Sequence, residues 1–280
     1  MASIPSRIGN FEVLSQLGSG GMGTVYLGRD PELGCQVAIK VIREEVRDQE
    51  VLDRFFREAR AVAALRHPNI ITVYASGQHD HQPYMAMEYV DGESLADIIR
   101  SRRTLPLSDK ISYLEQICAG LHFAHHAGIV HRDVKPANIM VDREGVVRIL
   151  DFGIARIEGS AMTQDGSLMG SLNYMSPEQM LGRQVDHRSD IFSVGTVAYE
   201  LLCYQQAFKG GSMMGCYSGC RTRTRPRWPS SIQDCRPRSS RSSRARWKRR
   251  RRSAFRTWRR CAARSSAGTP VRSRRMTALS

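Results

Sequence analysis

No run of about 18 uncharged apolar residues, the length a helix needs to cross a bilayer, occurs anywhere in the sequence, and Met1-Ala2-Ser3-Ile4-Pro5-Ser6-Arg7 lacks the apolar stretch of a secretory signal. These absences set the expectation of a cytoplasmic protein with no transmembrane segment. C-x-x-C pairs are also missing: Cys35, Cys118, Cys203, Cys216, Cys220, Cys235 and Cys261 show no zinc-ligand spacing, which favours free thiols in a reducing compartment. Acidic residues almost vanish from the last quarter. Residues 211–280 hold 21 Lys and Arg against Asp234 alone, whereas residues 1–210 hold 21 against 26 Asp and Glu. The formal net charge of +15 therefore belongs to the C-terminal segment, and the body of the chain lacks the basic excess of a nucleic-acid binder.

What is present begins with strands. Phe11-Glu12-Val13-Leu14 and Thr24-Val25-Tyr26-Leu27 flank a glycine cluster, and Gln36 to Ile42 is β-branched after a turn signal, so a small antiparallel sheet is expected. From Gln49 to Arg66 apolar residues recur at helical spacing until His67-Pro68-Asn69, predicting one helix against that sheet. A strand over Tyr84 to Val90 leads to a hinge near residues 88–92. Helices are predicted over Ser94–Arg100, Leu107–Ala127 and Asp190–Tyr204, with short strands or loops over Val130–Val141 and Val146–Phe152. The fold class is α+β in two lobes, one rich in strands and one in helices.

Gly18-Ser19-Gly20-Gly21-Met22-Gly23-Thr24-Val25 fits G-x-G-x-x-G-x-V between two strands. Glycines there let backbone amides approach phosphate oxygens with no Cβ in the way. A plain hairpin turn fits the same pattern, and the strand that follows argues against a dinucleotide fold. Fifteen residues beyond Val25, Lys40 lies within the apolar strand Val37-Ala38-Ile39-Lys40-Val41. A buried ammonium there needs an anionic partner, and Glu58 on the following helix is the natural candidate. His131-Arg132-Asp133-Val134-Lys135-Pro136-Ala137-Asn138 and Asp151-Phe152-Gly153 complete the set.

With four motifs in this order and spacing, the sequence resembles the protein kinase superfamily, and the resemblance runs from Phe11 to about Met214. It implies a bilobal protein-kinase fold that transfers the γ-phosphate of ATP, with Mg2+, to serine or threonine hydroxyls of a protein substrate. Asp133 would orient the hydroxyl and take its proton, with Lys135 beside it, while Asn138 and Asp151 would hold the metal. Lys40, oriented by Glu58, would hold the α- and β-phosphates. Leu17, Val25 and Ala38 would enclose adenine, with the backbone of Glu88 and Val90 hydrogen-bonded to it. Lys135 and Ser171 accompany serine/threonine rather than tyrosine specificity in this family. Gly-Gly-Met-Gly and Ser176-Pro177-Glu178-Gln179 resemble the bacterial branch. The implied regulation runs through residues 151–178. Arg132 would meet a phosphate on Thr163, or on Ser167 or Ser171, and self-association would serve autophosphorylation.

Residues 1–10 read as an N-terminal extension, 11–214 as a kinase domain incomplete at its C-terminal end, and 215–280 as a basic, disordered tail. The family pattern next requires helices and an arginine for Glu178, but Arg221 to Arg275 is dominated by Arg, Ser and Pro. Three readings stand for this stretch. It could bind nucleic acid or anionic membrane, with Trp228, Trp247 and Trp258 to stack or anchor, or it could be a solvated tail. The third is a shifted reading frame, in which Cys216-Tyr217 forces Leu and Trp247-Lys248 forces Glu, and Arg241 to Cys261 permits a string resembling a kinase's closing helices. No specific nucleic acid is expected as partner. An inactive nucleotide-binding pseudoenzyme or basic-tailed adaptor is the alternative to the enzyme.

Overall fold

The computed structural model describes residues 4–20, 23–42, 49–152 and 172–208. The N-terminal strands are β1 (Arg7–Ile8), β2 (Phe11–Gly20), β3 (Gly23–Arg29) and β4 (Gln36–Ile42), followed by helix α1 (Gln49–Ala63), β5 (Val73–His79) and β6 (Gln82–Glu88). All neighbours pair antiparallel in one six-stranded sheet of order β1-β2-β3-β4-β6-β5. Both faces of this sheet are covered, and the alternation along β6 shows how. Tyr84 and Ala86 join Ile8, Phe11, Val37 and Ile39 in one buried cluster, while Met85 and Met87 join the core that contains α1. Helix α1 contributes Leu52, Phe55, Ala59 and Val62 to the buried residues, a stripe at the spacing that one helical face requires.

The second lobe contains β7 (Gly92–Ser94), α2 (Leu95–Arg100), α3 (Leu107–His126), a 3-10 turn (Pro136–Asn138), β8 (Ile139–Asp142) and β9 (Val147–Ile149). After a further 3-10 turn (Leu172–Tyr174) come α4 (Pro177–Met180) and α5 (His187–Cys203). Strands β7, β8 and β9 form a second antiparallel sheet. Side-chain caps explain several helix starts. Ser94 Oγ accepts from Asp97 N at 3.1 Å ahead of α2, and Asp186 Oδ1 accepts from Arg188 N at 2.8 Å ahead of α5.

The strand-rich and helix-rich lobes of the sequence reading are present, with shifted boundaries. Helix α1 ends at Ala63 rather than Arg66, because the chain tightens there and Leu65 N bonds Val62 O at 2.9 Å. Ser94 caps its helix rather than belonging to it. Helix α5 begins three residues before Asp190, where Asp186 supplies the cap. Strand β5 has no counterpart in the sequence reading: Val73-Tyr74-Ala75-Ser76-Gly77-Gln78-His79 is too polar to stand out, and only pairing with β6 makes it a strand.

The loop after α1 is stitched to the second lobe. Ile71 N bonds Ile149 O at 3.0 Å and Ile149 N bonds Asn69 O at 2.9 Å. Asn69 Nδ2 donates to Gln116 Oε1 at 2.9 Å and to Val147 O at 3.0 Å. Helix α3 comes this close because Gly120 faces the loop: a Cβ there would lie 3.1 Å from Asn69 O and 2.9 Å from Ile149 Cδ1. Gly120→Val should therefore overpack the junction and cost about 1–3 kcal/mol. Urea denaturation should show a lower midpoint with an unchanged slope.

Candidate active site

Asp190, in the first turn of α5, is 1% exposed. Its Oδ2 accepts His131 N at 2.8 Å and its Oδ1 accepts Arg132 N at 2.9 Å. His125 Nε2 lies 2.7 Å from Oδ2, and because a carboxylate only accepts, that nitrogen carries the hydrogen. Turning two consecutive amides onto one carboxylate puts Arg132 at φ +66, a left-handed conformation that a non-glycine residue adopts only when its surroundings impose it. The ring of His131 links the loop inward. Its Nδ1 accepts Asp133 N at 3.2 Å and its Nε2 donates to Leu150 O at 2.8 Å, while the ring packs 4.6 Å from that of Phe152.

The structure brings Asp133, Lys135 and Asn138 together. Asn138 Nδ2 donates to Asp133 O at 2.9 Å and to Asp133 Oδ2 at 3.0 Å. Lys135 Nζ sits 2.8 Å from the same Oδ2. Pro136 opens the 3-10 turn that carries Asn138 back toward Asp133, and its fixed φ suits that position. Leu150 then joins this loop to the next carboxylate: its N–H bonds Asn138 O at 2.8 Å, its carbonyl receives His131, and Asp151 follows.

Asp151 stands at φ +50 with Oδ2 2.8 Å from Lys40 Nζ. Crowding by protein works to raise its carboxyl, but the Lys40 charge and hydrogen bond, helped by His131 and Lys135, hold it below the ordinary aspartate value. The side chain also keeps 35% of its surface open. The sequence reading assigned Lys40 to Glu58; the structure adds Asp151 as a partner at ion-pair distance, with Glu58 half-buried on α1.

The glycine-rich hairpin separates structural from permissive glycines. At Gly23, φ is +146 and a Cβ would fall 2.0 Å from Val41 O, so the sheet itself requires glycine. At Gly18 and Gly20 a Cβ would meet nothing within 4 Å. Among the described residues nothing fills the space beside them, as a phosphate cradle would need. Ser19 is exposed between them, Thr24 and Val25 lie on β3, and Gly21 and Met22 lie outside the described residues. Leu17 is exposed on β2, and Ala38 is half-buried on β4. Glu88 N bonds Thr72 O at 2.8 Å, so Glu88 would offer a base its carbonyl; Val90 is half-buried two residues further on. Asn138 directs its Nδ2 at Asp133, which leaves its amide oxygen and the Asp151 carboxylate as hard donors of the kind Mg2+ prefers.

Several residues acquire roles that spacing alone did not show. Arg148 Nε meets the Glu88 carboxylate at 3.2 Å, His125 meets Asp190, and Gln179 Nε2 reaches Arg132 O at 2.7 Å. Glu178 needs correction. The family pattern asks for an arginine beside it, whereas the structure shows Glu178 half-buried and accepting a short hydrogen bond from Ser189 Oγ. Burial works to raise it, but that bond and backbone hydrogen bonding hold it below the ordinary glutamate value. The large cost of an orphaned carboxylate does not apply. Thr163, Ser167 and Ser171 lie outside the described residues, as do residues 209–280.

Lys40→Met should raise the Asp151 carboxyl, because burial would then be opposed mainly by His131 and Lys135. A carboxyl held low in the folded state contributes stability above its unfolded value, and that contribution is lost as pH falls through the folded value. The stability gap between wild type and variant should therefore be widest at neutral pH and close as pH drops below about 4. Melting temperatures across that range measure it.

The profile of the family described as "Protein kinase domain" matches residues 11–246. A probable serine/threonine-protein kinase of Streptomyces coelicolor is 44% identical over 217 residues, 74% of this chain and 32% of that protein. The serine/threonine-protein kinase PknB of Mycobacterium leprae is 42% identical over 219 residues, 76% of this chain and 35% of that protein. A probable serine/threonine-protein kinase of Clostridium perfringens is 42% identical over 208 residues, 73% of this chain and 30% of that protein. The chain thus spans about a third of the length of these relatives. The family match covers most of the sequence and the fold has two lobes, so the chain belongs to the protein kinase domain family.

Proposed function

We propose that the chain is an ATP- and Mg2+-dependent protein kinase acting on serine and threonine hydroxyls. The observation that carries this reading is the Asp133 carboxylate, held by Asn138 and Lys135 and joined through Leu150 to the Lys40–Asp151 pair. ATP supplies the phosphoryl group, and a bound divalent cation neutralises charge on it. The remaining work belongs to the chain. Asp133 accepts a hydrogen bond from the substrate hydroxyl, orients it and takes its proton as the hydroxyl oxygen bonds the γ-phosphorus and the bond from that phosphorus to the bridging oxygen breaks, releasing ADP. Lys135, 2.8 Å from that carboxylate, is placed to steady phosphate oxygens. Lys40 holds the nucleotide's inner phosphates, and Asn138 and Asp151 hold the cation. Little bond-making falls to protein atoms, so positioning and charge set the rate.

Among the described residues no helix is long and apolar enough to cross a membrane. Regulation through phosphorylation of Thr163, Ser167 or Ser171, with self-association for autophosphorylation, belongs to the same proposal. So do the protein substrate and a cytoplasmic location.

Asp133→Asn keeps the shape and removes the base. Phosphate transfer from labelled ATP to a generic protein substrate should fall by about 10²–10⁴-fold, with nucleotide affinity little changed. Equal transfer by both proteins contradicts the proposal.

A further inference from the structure

Gln179 ends the Ser176-Pro177-Glu178-Gln179 motif and makes two kinds of contact with its side-chain amide. Oε1 accepts from Ser176 N at 3.0 Å and from Ser176 Oγ at 3.2 Å, completing a capping box with Ser176 as N-cap of α4. Nε2 donates to Arg132 O at 2.7 Å. The amide can sit only one way round. A backbone N–H must face the oxygen and a carbonyl must face the nitrogen; a flip would set donor against donor and acceptor against acceptor.

The carbonyl so held belongs to the peptide that joins Arg132 to Asp133. The N–H of that same peptide bonds His131 Nδ1 at 3.2 Å. Its plane is therefore gripped at both edges, immediately before the Asp133 side chain and immediately after the left-handed Arg132. The other end of the Gln179 link is equally tied down. Ser176 follows the 172–174 turn, whose Tyr174 carbonyl accepts from Ser193 Oγ at 2.8 Å and whose Tyr174 hydroxyl meets Glu200 Oε2 at 2.5 Å. Burial raises both Tyr174 and Glu200 above their ordinary values, so the tyrosine keeps the hydrogen it donates at neutral pH.

We propose that Gln179 is a positioning residue that couples the 172–178 segment to the peptide plane orienting Asp133. This rests on the phosphotransfer reading above for its consequence in rate, but not for its geometry. The capping contacts and the Arg132 contact are separable, because glutamate at this position caps as well as glutamine does, yet its second oxygen would face the Arg132 carbonyl with a lone pair instead of a hydrogen.

Gln179→Glu in the full chain is the test. Hydrogen exchange at the Asp133 amide should quicken by about tenfold or more, while exchange in β4 and α5 and the melting temperature stay put. The kcat for phosphate transfer should fall by about 10- to 100-fold with the KM for ATP unchanged. A carboxyl facing a carbonyl has its pKa raised, and once protonated it donates again. The ratio of variant to wild-type kcat should therefore climb as pH falls from about 8 to about 6. An unchanged Asp133 amide, loss of protection spread across α4 and α5, or a ratio flat with pH would overturn the proposal. If the wild-type chain transfers no phosphate, the kinase reading fails, and exchange at Asp133 alone still decides whether Gln179 holds the loop.

Discussion

The buried carboxylate of Asp190 is the constraint on which the rest of the site depends. It receives two consecutive backbone amides from the loop and a ring nitrogen from α3. A charge this far from water is tolerable only because donors surround it. Those donors in turn fix the loop: the left-handed Arg132 is the geometric consequence, and Asp133 emerges from it in one direction. The buried ion and the strained backbone are two descriptions of one compromise, in which α5 supplies the acceptor and the loop supplies the bend.

From that point the contacts radiate through hydrogen bonds rather than apolar packing. His131 passes the loop's position to Leu150, Leu150 passes it to Asn138 and to its neighbour Asp151, and Asp151 reaches across to Lys40 on the sheet. Two of the left-handed residues, Arg132 and Asp151, bracket this chain of contacts. A charged pair between the lobes at Lys40 and Asp151, and a neutral stitch through Asn69 and Ile149, give the junction one feature that responds to charge and one that does not. Arg148 adds a third tie, since its guanidinium meets Glu88 at the hinge at 3.2 Å and approaches Asp142 at 3.9 Å.

Much of this was legible in the sequence because the chemistry is local. Asp133, Lys135 and Asn138 lie within six residues, and the glycine-rich turn announces itself between strands. Lys40 was legible as a buried cation, but its partner was open: spacing brings Glu58 near, whereas Asp151 comes near only once the lobes meet. His125 with Asp190, and Arg148 with Glu88, are pairs about sixty residues apart that no periodicity links. Strand β5 escaped because Tyr74, Ser76, Gln78 and Gly77 give it no apolar face of its own. The Gln179 contact had a readable half, since Ser-x-x-Gln before a helix is a capping signature. Its other half, the Arg132 carbonyl, needs the fold. For Glu178 the family's pattern offered an arginine, whereas Ser189, eleven residues on, meets it through the α4–α5 turn and only the fold shows that.

Helix α5, through Asp190, holds the loop that presents Asp133. Hydrogen exchange at the His131 and Arg132 amides in wild type and in Asp190→Asn tests it most directly. An asparagine offers one acceptor oxygen where three donors converge and sets its own NH2 among them. Both amides should exchange as slowly as core helix amides in the wild type and lose that protection selectively in the variant, with β4 and β6 unaffected. Exchange at the rate of an open loop in the wild type, or protection that survives the substitution, would contradict it.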